Sequence, residues 1–355
     1  MATPPQKVRV GVVGLGIGRT HLDGYQQLSD SVEIVGVCDL NEDRVKEVAA
    51  EYDVSRKFTD YNELFARNDI DAVSLCVPNN LHAELAVAAV AAGKHVLTEK
   101  PMADTLANAQ KIVEAARTTD KVFMLGMNNR FREDTQVLKA MINQGDLGEI
   151  YFAKCGWTRR NGIPGLGGWF TTKALSGGGP LLDIGVHALD VTTYLMGNPI
   201  PVSVSGAVYA KFGPRGRGGS AYGYAPDPST LKPYTVEDLA TALVKFDNGA
   251  TLFLEASWAS YIAKDHFYTS LHGTEGGADL DPFVIYKDMG NAPVDIAPQV
   301  TTTGMGHAAE IKHFIECIQQ GKPAISTAEQ GLHILQILDA VYRSAESGRE
   351  TIISQ

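Results

Sequence analysis

The run Val8 to Val13 passes directly into Gly14-Leu15-Gly16-Ile17-Gly18, and a helical pattern from Arg19 to Leu28 follows without a spacer. A buried strand that turns on glycines into a helix admits few architectures, because the helix must return over the sheet and bring the next strand in parallel to the first. The glycines permit a tight turn and let backbone N–H groups approach a pyrophosphate lying on the helix N-terminus. The spacing departs from G-x-G-x-x-G, since the third glycine falls at Gly18, one residue early. An ordinary tight connection is the alternative reading of the same turn, and the rest of the chain has to decide between them.

Residues 1–126 repeat the alternation. Glu33 to Cys38 reads as a second strand ending at Asp39, 23 residues past Gly16 (39 minus 16). A carboxylate there accepts from the adenosine 2′-OH and repels a 2′-phosphate, which favours NAD and disfavours NADP. Arg44, in a helix from Asn41 to Tyr52, can stack on adenine, bind a phosphate or remain a solvated charge. Asp60-x-x-Glu63 is a capping box for a short helix. Ala72 to Val77 is a buried strand leading into Pro78-Asn79-Asn80, and the helix after it is stopped by Gly93. Val96 to Thr98 forms the next strand, with Glu99, Lys100 and Pro101 just beyond it. Asp104 to Thr119 is helical, and Lys121 to Gly126 closes the unit as a sixth strand.

Open parallel sheets bind ligands at their carboxyl edge. Gly14, Gly16, Ile17, Gly18, Asp39, Arg44, Pro78, Asn79, His82, Glu99 and Lys100 are therefore the candidate cofactor contacts. His82 reads equally well as a capping or surface histidine. Lys100 is either a solvated surface lysine or, held near apolar walls, one that joins proton chemistry.

Beyond Met127 a helix from Arg132 to Gln144 is followed by longer alternating segments: Ile150 to Trp157, Val202 to Phe212, Leu239 to Phe246, Ala250 to Trp258, His266 to His272 and Ala278 to Tyr286. Alternation implies half-exposed antiparallel strands, and Asp247-Asn248-Gly249 marks a hairpin. The expected fold is an α/β N-terminal Rossmann doubly wound parallel sheet over 1–126, plus an α+β C-terminal domain over 127–355 with a large open, mainly antiparallel sheet. The uncovered face of that sheet is expected to form a homo-oligomer, a dimer or tetramer.

Two loops interrupt the second domain. Residues 156–179 mix glycines with Trp157, Arg159, Arg160, Trp169 and Phe170, a composition suited to closing over a sugar-like ligand. The loop from Gly213 to Tyr234 reads as a lid or an oligomer arm, and the residues do not choose between them. Gly177-Gly178-Gly179-Pro180 opens a helix carrying Asp183 and His187 at i, i+4, beside the first loop rather than deep in a core. A carboxylate one turn from an imidazole suits a general base acting on an alcohol, and a buried structural pair is the competing reading. The candidate substrate contacts are Lys100, Asn128, Arg130, Arg159, Trp169, Asp183 and His187. No metal site is expected, since no third ligand is spaced for one, and His307, Glu310 and His313 read as a solvated or capping face.

The net charge of −10 and the absence of clustered Lys and Arg argue against nucleic acid or an anionic membrane surface as partner. No apolar run of about 18 residues and no leader pattern is seen, so a cytoplasmic protein is expected. The four cysteines are widely spaced and read as buried thiols.

Taken together, the glycine turn with His21, Asp39, Pro78-Asn79, Glu99-Lys100-Pro101 and Gly-Gly-Gly-Pro with Asp183-x-x-x-His187 resemble the Gfo/Idh/MocA family of sugar and polyol oxidoreductases over the whole chain. Glu310 to Gly321 and Ser326 to Gly348 resemble its closing helices. The resemblance implies hydride transfer between NAD and a carbinol carbon of a sugar, sugar derivative or cyclic polyol such as an inositol. It implies that Lys100 holds the reacting oxygen, Asp183 orients substrate or imidazole, and His187 shuttles the proton. Two alternatives stand beside it: an NADPH-dependent reductase of keto-sugars or nucleotide-sugars, and a non-catalytic NAD- or sugar-responsive regulator on the same fold.

Overall fold

The computed structural model describes residues 7–219, 233–300 and 305–354. In the first unit, β1 (Val8–Val13), β2 (Val32–Cys38), β3 (Arg56–Phe58), β4 (Ala72–Leu75), β5 (His95–Glu99) and β6 (Phe123–Gly126) form one sheet in the order β3-β2-β1-β4-β5-β6. Every adjacent pair is parallel. The order reverses between β1 and β4, and the carboxyl edge at that reversal is where doubly wound sheets open a crevice. Helices α1 (Gly18–Gln26), α2 (Glu42–Glu51), α3 (Tyr61–Phe65), α4 (His82–Ala91) and α5 (Leu106–Arg117) make the crossovers. Side chains start three of them: Asn41 accepts from Arg44 N, Asp60 from Asn62 N and Thr105 from Asn108 N. Gly93 ends the α4 turn in the left-handed region, at φ +72°. β3 is three half-buried to exposed residues at the sheet edge, too short to show a period in the sequence.

The second unit contains α6 (Glu133–Asn143), β7 (Ile150–Thr158), α7 (Lys173–Ser176), α8 (Val186–Leu195), β8 (Pro201–Tyr209), β9 (Leu239–Phe246), β10 (Thr251–Ser257), β11 (His266–Gly273), β12 (Gly277–Leu280), β13 (Phe283–Met289) and β14 (Ala292–Ile296). After them come α9 (His307–Gln320), α10 (Ala328–Ser347) and β15 (Thr351–Ile352). The sheet runs β14-β13-β12-β11-β7-β10-β9-β8-β15. The sheet is mainly antiparallel, as expected, with one parallel pair at its centre, β7 and β10; alternation reports half-burial and says nothing of strand direction. One expectation needs correction. The segment Ala278 to Tyr286 is two antiparallel strands, β12 and β13, with Asp281 and Pro282 between them. Proline has no N–H to give a ladder, so the break falls there. The hairpin signal holds: Gly249 has φ +86°, Asn248 Oδ1 accepts from Ala250 N, and β9 pairs with β10 on either side.

The chain divides into Met1–Phe131 with Gly304–Leu332, and Arg132–Thr303 with His333–Gln355, so the boundary differs from one placed at residue 126. The returning segment joins the first unit because α9 buries Ile311, Phe314 and Ile315 in the same core as Leu22 and Tyr25. The approach is close: a Cβ on Gly24 would lie 2.4 Å from Ile311 Cδ1. That correction carries another. Glu310 is fully buried rather than solvated, and His313 accepts from Ile325 N through Nε2. Among the described residues no helix is long and apolar enough to cross a membrane.

Candidate active site

In the first unit the compressed glycine turn divides its work among three residues. Gly14 has φ +87°, and a Cβ there would meet Cys76 O at 2.2 Å, so only glycine fits. Gly18 packs α1 against β1, its Cβ position lying 3.0 Å from Val12 Cγ1. Gly16 has open space on its Cβ side, and among the described residues no side-chain hydrogen bond caps α1. A helix start without a side-chain cap is chemically suited to an external anion. Asp39 ties the end of β2 to the turn: Oδ2 accepts from Leu15 N (2.9 Å) and from Arg44 (3.2 Å), and Oδ1 accepts from Asn41 N (2.9 Å). The carboxylate expected to read the ribose therefore also shapes the loop, and Arg44 is its ion-pair partner.

Behind the β5 edge lies a buried polar chain in which Tyr25 and Ser74 join His21 and Glu99. Tyr25 Oη and Ser74 Oγ are 2.7 Å apart, and Ser74 Oγ lies 3.0 Å from His21 Nδ1. His21 Nε2 donates to Glu99 Oε1 at 3.0 Å, while Glu99 Oε2 accepts from Lys100 N at 3.2 Å. Burial pushes the Glu99 carboxyl up, yet the hydrogen bond and charge of His21, then Lys100 and His307, bring it down to about 2. Glu99 is 7% exposed, so it reads first as the anchor of the Lys100 corner.

Three expected contacts turn out to brace the fold. His82 is fully buried, with Nδ1 2.7 Å from Pro101 O and Nε2 2.8 Å from Val77 O, so both ring nitrogens hold backbone and neither is turned to a cofactor. Burial lowers its pKa against the pull of those two carbonyls. Asn128 Nδ2 donates to Met305 O, and the buried Arg130 donates to Ile325 O and Gln330 Oε1. These partners of Asn128 and Arg130 lie on the returning C-terminal segment, which nothing near residue 130 announces. Pro78 and Asn79 follow β4 at the carboxyl edge, as expected.

In the second unit Pro180 leads into a π-helical turn, Leu181–Gly185, which continues as α8. Asp183 lies on the π turn and His187 in the first turn of α8. A π turn stretches the backbone ladder to i→i+5 and re-aims side chains, a device common at functional sites. All ten residues of α8 are buried, so His187 lies deeper than its expected place beside the loop, while Asp183 is half-buried. His187 is only 8% exposed, its ring 5.8 Å from Trp157. Trp157 stands edge-on to Phe267 (5.3 Å), its cross-strand partner on β11, and carries the Arg159 guanidinium 4.7 Å from its ring centre. Asp183 Oδ2 accepts from Trp258 Nε1 at 2.9 Å. Trp169 stacks on Phe170 at 3.8 Å within the glycine-rich loop. The Asp183–Trp258 bond spans 75 residues and carries no local signal. Most of the second loop, expected over 213–234, lies outside the described residues.

A doubly wound parallel sheet with a glycine turn at its carboxyl edge, joined in one chain to a mixed, mostly antiparallel sheet, is the architecture of a nucleotide-dependent oxidoreductase. The chain belongs to the Gfo/Idh/MocA oxidoreductases: the family's "NAD-binding Rossmann fold" matches residues 8–127 and its "C-terminal alpha/beta domain" matches 139–353. It is 36% identical over 345 residues to a D-glucoside 3-dehydrogenase of Escherichia coli K12, covering 96% of each chain. To a myo-inositol 2-dehydrogenase of Thermotoga maritima it is 25% identical over 362 residues, covering 98% of this chain and 99% of the relative. A solved levoglucosan dehydrogenase in complex with NADH shares the fold, with a TM-score of 0.87 at 23% identity over 99% of this chain and 100% of that one.

Proposed function

We propose that the protein is an NAD-dependent dehydrogenase that oxidises a ring carbinol of a sugar derivative, with a D-glucoside the first class to test and cyclic polyols the second. The observation that carries this reading is His187, set against Trp157 one turn after Asp183, which Trp258 holds. A sugar offers an apolar C–H face to an aromatic ring and hydroxyls to the groups beside it. His187 takes the hydroxyl proton, a role for which imidazole is suited near neutral pH. Asp183, fixed by Trp258, orients the neighbouring hydroxyl or the imidazole, and Lys100 holds the reacting oxygen. Bound NAD supplies the hydride acceptor. Gly16 and the start of α1 receive its pyrophosphate, and Asp39 receives the adenosine ribose and repels a 2′-phosphate. The 36% identity with the D-glucoside 3-dehydrogenase favours a pyranoside over an inositol.

The NADPH-dependent reductase is disfavoured by Asp39, and the non-catalytic regulator by the presence of Lys100, Asp183 and His187 together. Phe253, Leu243, Tyr209 and Tyr286 share the uncovered face of the nine-stranded sheet and are 38–45% exposed; that face is proposed as a homo-oligomer interface, which light scattering tests. For the activity, NADH formation is measured against glucosides, anhydrosugars, aldoses and inositols with NAD and with NADP. Turnover of a glucoside with NAD is expected, and no reduced cofactor from any member would turn the reading toward the regulator.

A further inference from the structure

Four residues ahead of β9, Thr235 to Asp238, hold several parts of the second unit at once. Thr235 N donates to Thr171 O (3.0 Å) and its Oγ1 accepts from Lys173 N (2.8 Å), which fixes the end of the glycine-rich loop. Glu237 is 5% exposed. Its carboxylate accepts from Gly179 N at 3.0 Å on both oxygens, from Leu181 N at 3.1 Å and from Tyr342 Oη at 2.9 Å. Asp238 is 1% exposed, and its Oδ2 accepts from Lys211 N, Phe212 N and Gly213 N, while its carbonyl accepts from Trp258 N at 3.0 Å. Trp258 is the residue that holds Asp183.

The glycines of the second unit acquire a reason from this arrangement. A Cβ on Gly178 would lie 2.0 Å from Tyr342 Oη, and one on Gly179 would lie 2.2 Å from Glu237 O. A Cβ on Gly213 would enter the Tyr234 ring, 2.1 Å from its nearest atoms, and Tyr234 Oη donates to Glu237 O at 3.1 Å. These glycines do not clear space for a ligand; they let the chain close on the Glu237–Asp238 pair.

We infer that Glu237 is a positioning residue for the reaction: with Asp238 it fixes both the start of the π turn and Trp258, and so sets where Asp183 and His187 stand. The two routes are separate, one through Gly179 and Leu181 to the helix backbone, the other through Asp238 and Trp258 to the Asp183 carboxylate. A carboxylate is suited to the first, since it accepts three or more hydrogen bonds where an apolar residue of that size would strand two buried N–H groups. The inference rests on the catalytic reading of Asp183 and His187.

The test compares Glu237→Ala and Glu237→Gln with His187→Ala in the full chain, counting active sites by NADH binding in calorimetry. Glu237→Ala is expected to lose about two orders of magnitude in kcat for the best sugar, while the NADH dissociation constant and the KM for NAD stay within about twofold of wild type. Glu237→Gln keeps an amide oxygen for Leu181 N and Tyr342, and is expected to recover to within about three- to tenfold of wild type. Wild-type kcat per NADH-binding site in Glu237→Ala, with only a lower melting temperature, overturns the inference and leaves a purely structural carboxylate. Should Glu237→Ala yield no folded protein, Glu237→Gln decides: a three- to tenfold loss at unchanged NADH affinity supports the inference and wild-type kcat overturns it. Normal turnover in His187→Ala beside a slow Glu237→Ala would retire the base assignment while upholding the positioning role through Asp183.

Discussion

Two glycine-rich turns open helices in this molecule, and they are satisfied in opposite ways. At Gly14–Gly18 the donors at the strand end are tied back to β2, Gly14 N to Cys38 O and Leu15 N to the Asp39 carboxylate, and among the described residues no side-chain hydrogen bond caps the helix that follows. At Gly177–Pro180 the first N–H groups are already taken, Gly179 and Leu181 both donating to the buried Glu237. The open turn is suited to an external anion, and the plugged turn carries its own. A glycine-rich helix start is therefore not in itself an anion site; what decides is whether the protein has spent those donors internally.

The largest expected effect falls on the plugged side, where chemistry rather than cofactor binding should fail. His187→Ala is expected to lose about two to four orders of magnitude in turnover, with NADH affinity by calorimetry unchanged and the acid limb of the kcat profile flattened. Lys100→Met should show a similar loss in turnover. Near-normal rates in either variant on the best sugar would return that residue to a structural role.

Exchanging small residues between the turns should give mirror-image failures. Gly16→Val meets open space in the protein, so the fold should survive while NAD binding weakens by about a hundredfold or more as the side chain enters the cradle. Gly179→Ala places its methyl on Glu237 O, so stability should drop by about 1–3 kcal/mol or more. Denaturant melts and NADH titrations on the two variants separate these outcomes. Wild-type NADH affinity in Gly16→Val would place the dinucleotide elsewhere.

How much of each turn can be read from sequence follows the same contrast. Gly14–Gly18, Asp39 and the Glu99–Lys100 edge sit at strand ends of a repeating unit, where period and turn residues mark the edge directly. The compression to Gly18 leaves the tight turn to Gly14 and the helix packing to Gly18, with the Cβ side of Gly16 open between them. In the second unit Asp183 and His187 were legible as a spaced pair, but their supports were not. Glu237 is 58 residues from Gly179 and Trp258 is 75 from Asp183, and no local pattern links them. The same blindness hides the partners of Asn128 and Arg130 and the burial of Glu310, all of which involve a segment that returns beyond residue 304.

An intermediate effect is expected from acid. Glu99 is held near 2 against an ordinary 4.5, so its ionised form stabilises the fold fully above pH 4.5, and that stability is lost as pH falls toward 2. The loss is about 3 kcal/mol at most. The groups facing it are His21, Lys100 and His307, with Cys76 and Glu310 close by. Urea midpoints between pH 2 and 6 should therefore decline in wild type and flatten across that window in Glu99→Gln. An equal decline in both would mean that other carboxylates carry the acid limb.

The smallest effect probes the open turn through Asp39, which both faces the expected ribose and holds Leu15 N and Arg44. Asp39→Asn keeps an oxygen for Leu15 N but removes the charge; Asp39→Ala removes both. Losing a charged hydrogen bond costs about 1.5 kcal/mol, so the KM for NAD should rise roughly tenfold in Asp39→Asn and further in Asp39→Ala, the excess measuring the tether to the glycine turn. The two variants should also narrow the gap to NADP, because a 2′-phosphate no longer meets a carboxylate. Arg44, 44% exposed and released from its ion pair, is then placed to meet that phosphate. The gain with NADP in Asp39→Asn should accordingly shrink when Arg44→Ala is added, whereas the NAD penalty should not. A KM for NAD unchanged in both single variants would remove Asp39 from the cofactor site, and a gain with NADP indifferent to Arg44 would leave relief of repulsion as its whole cause.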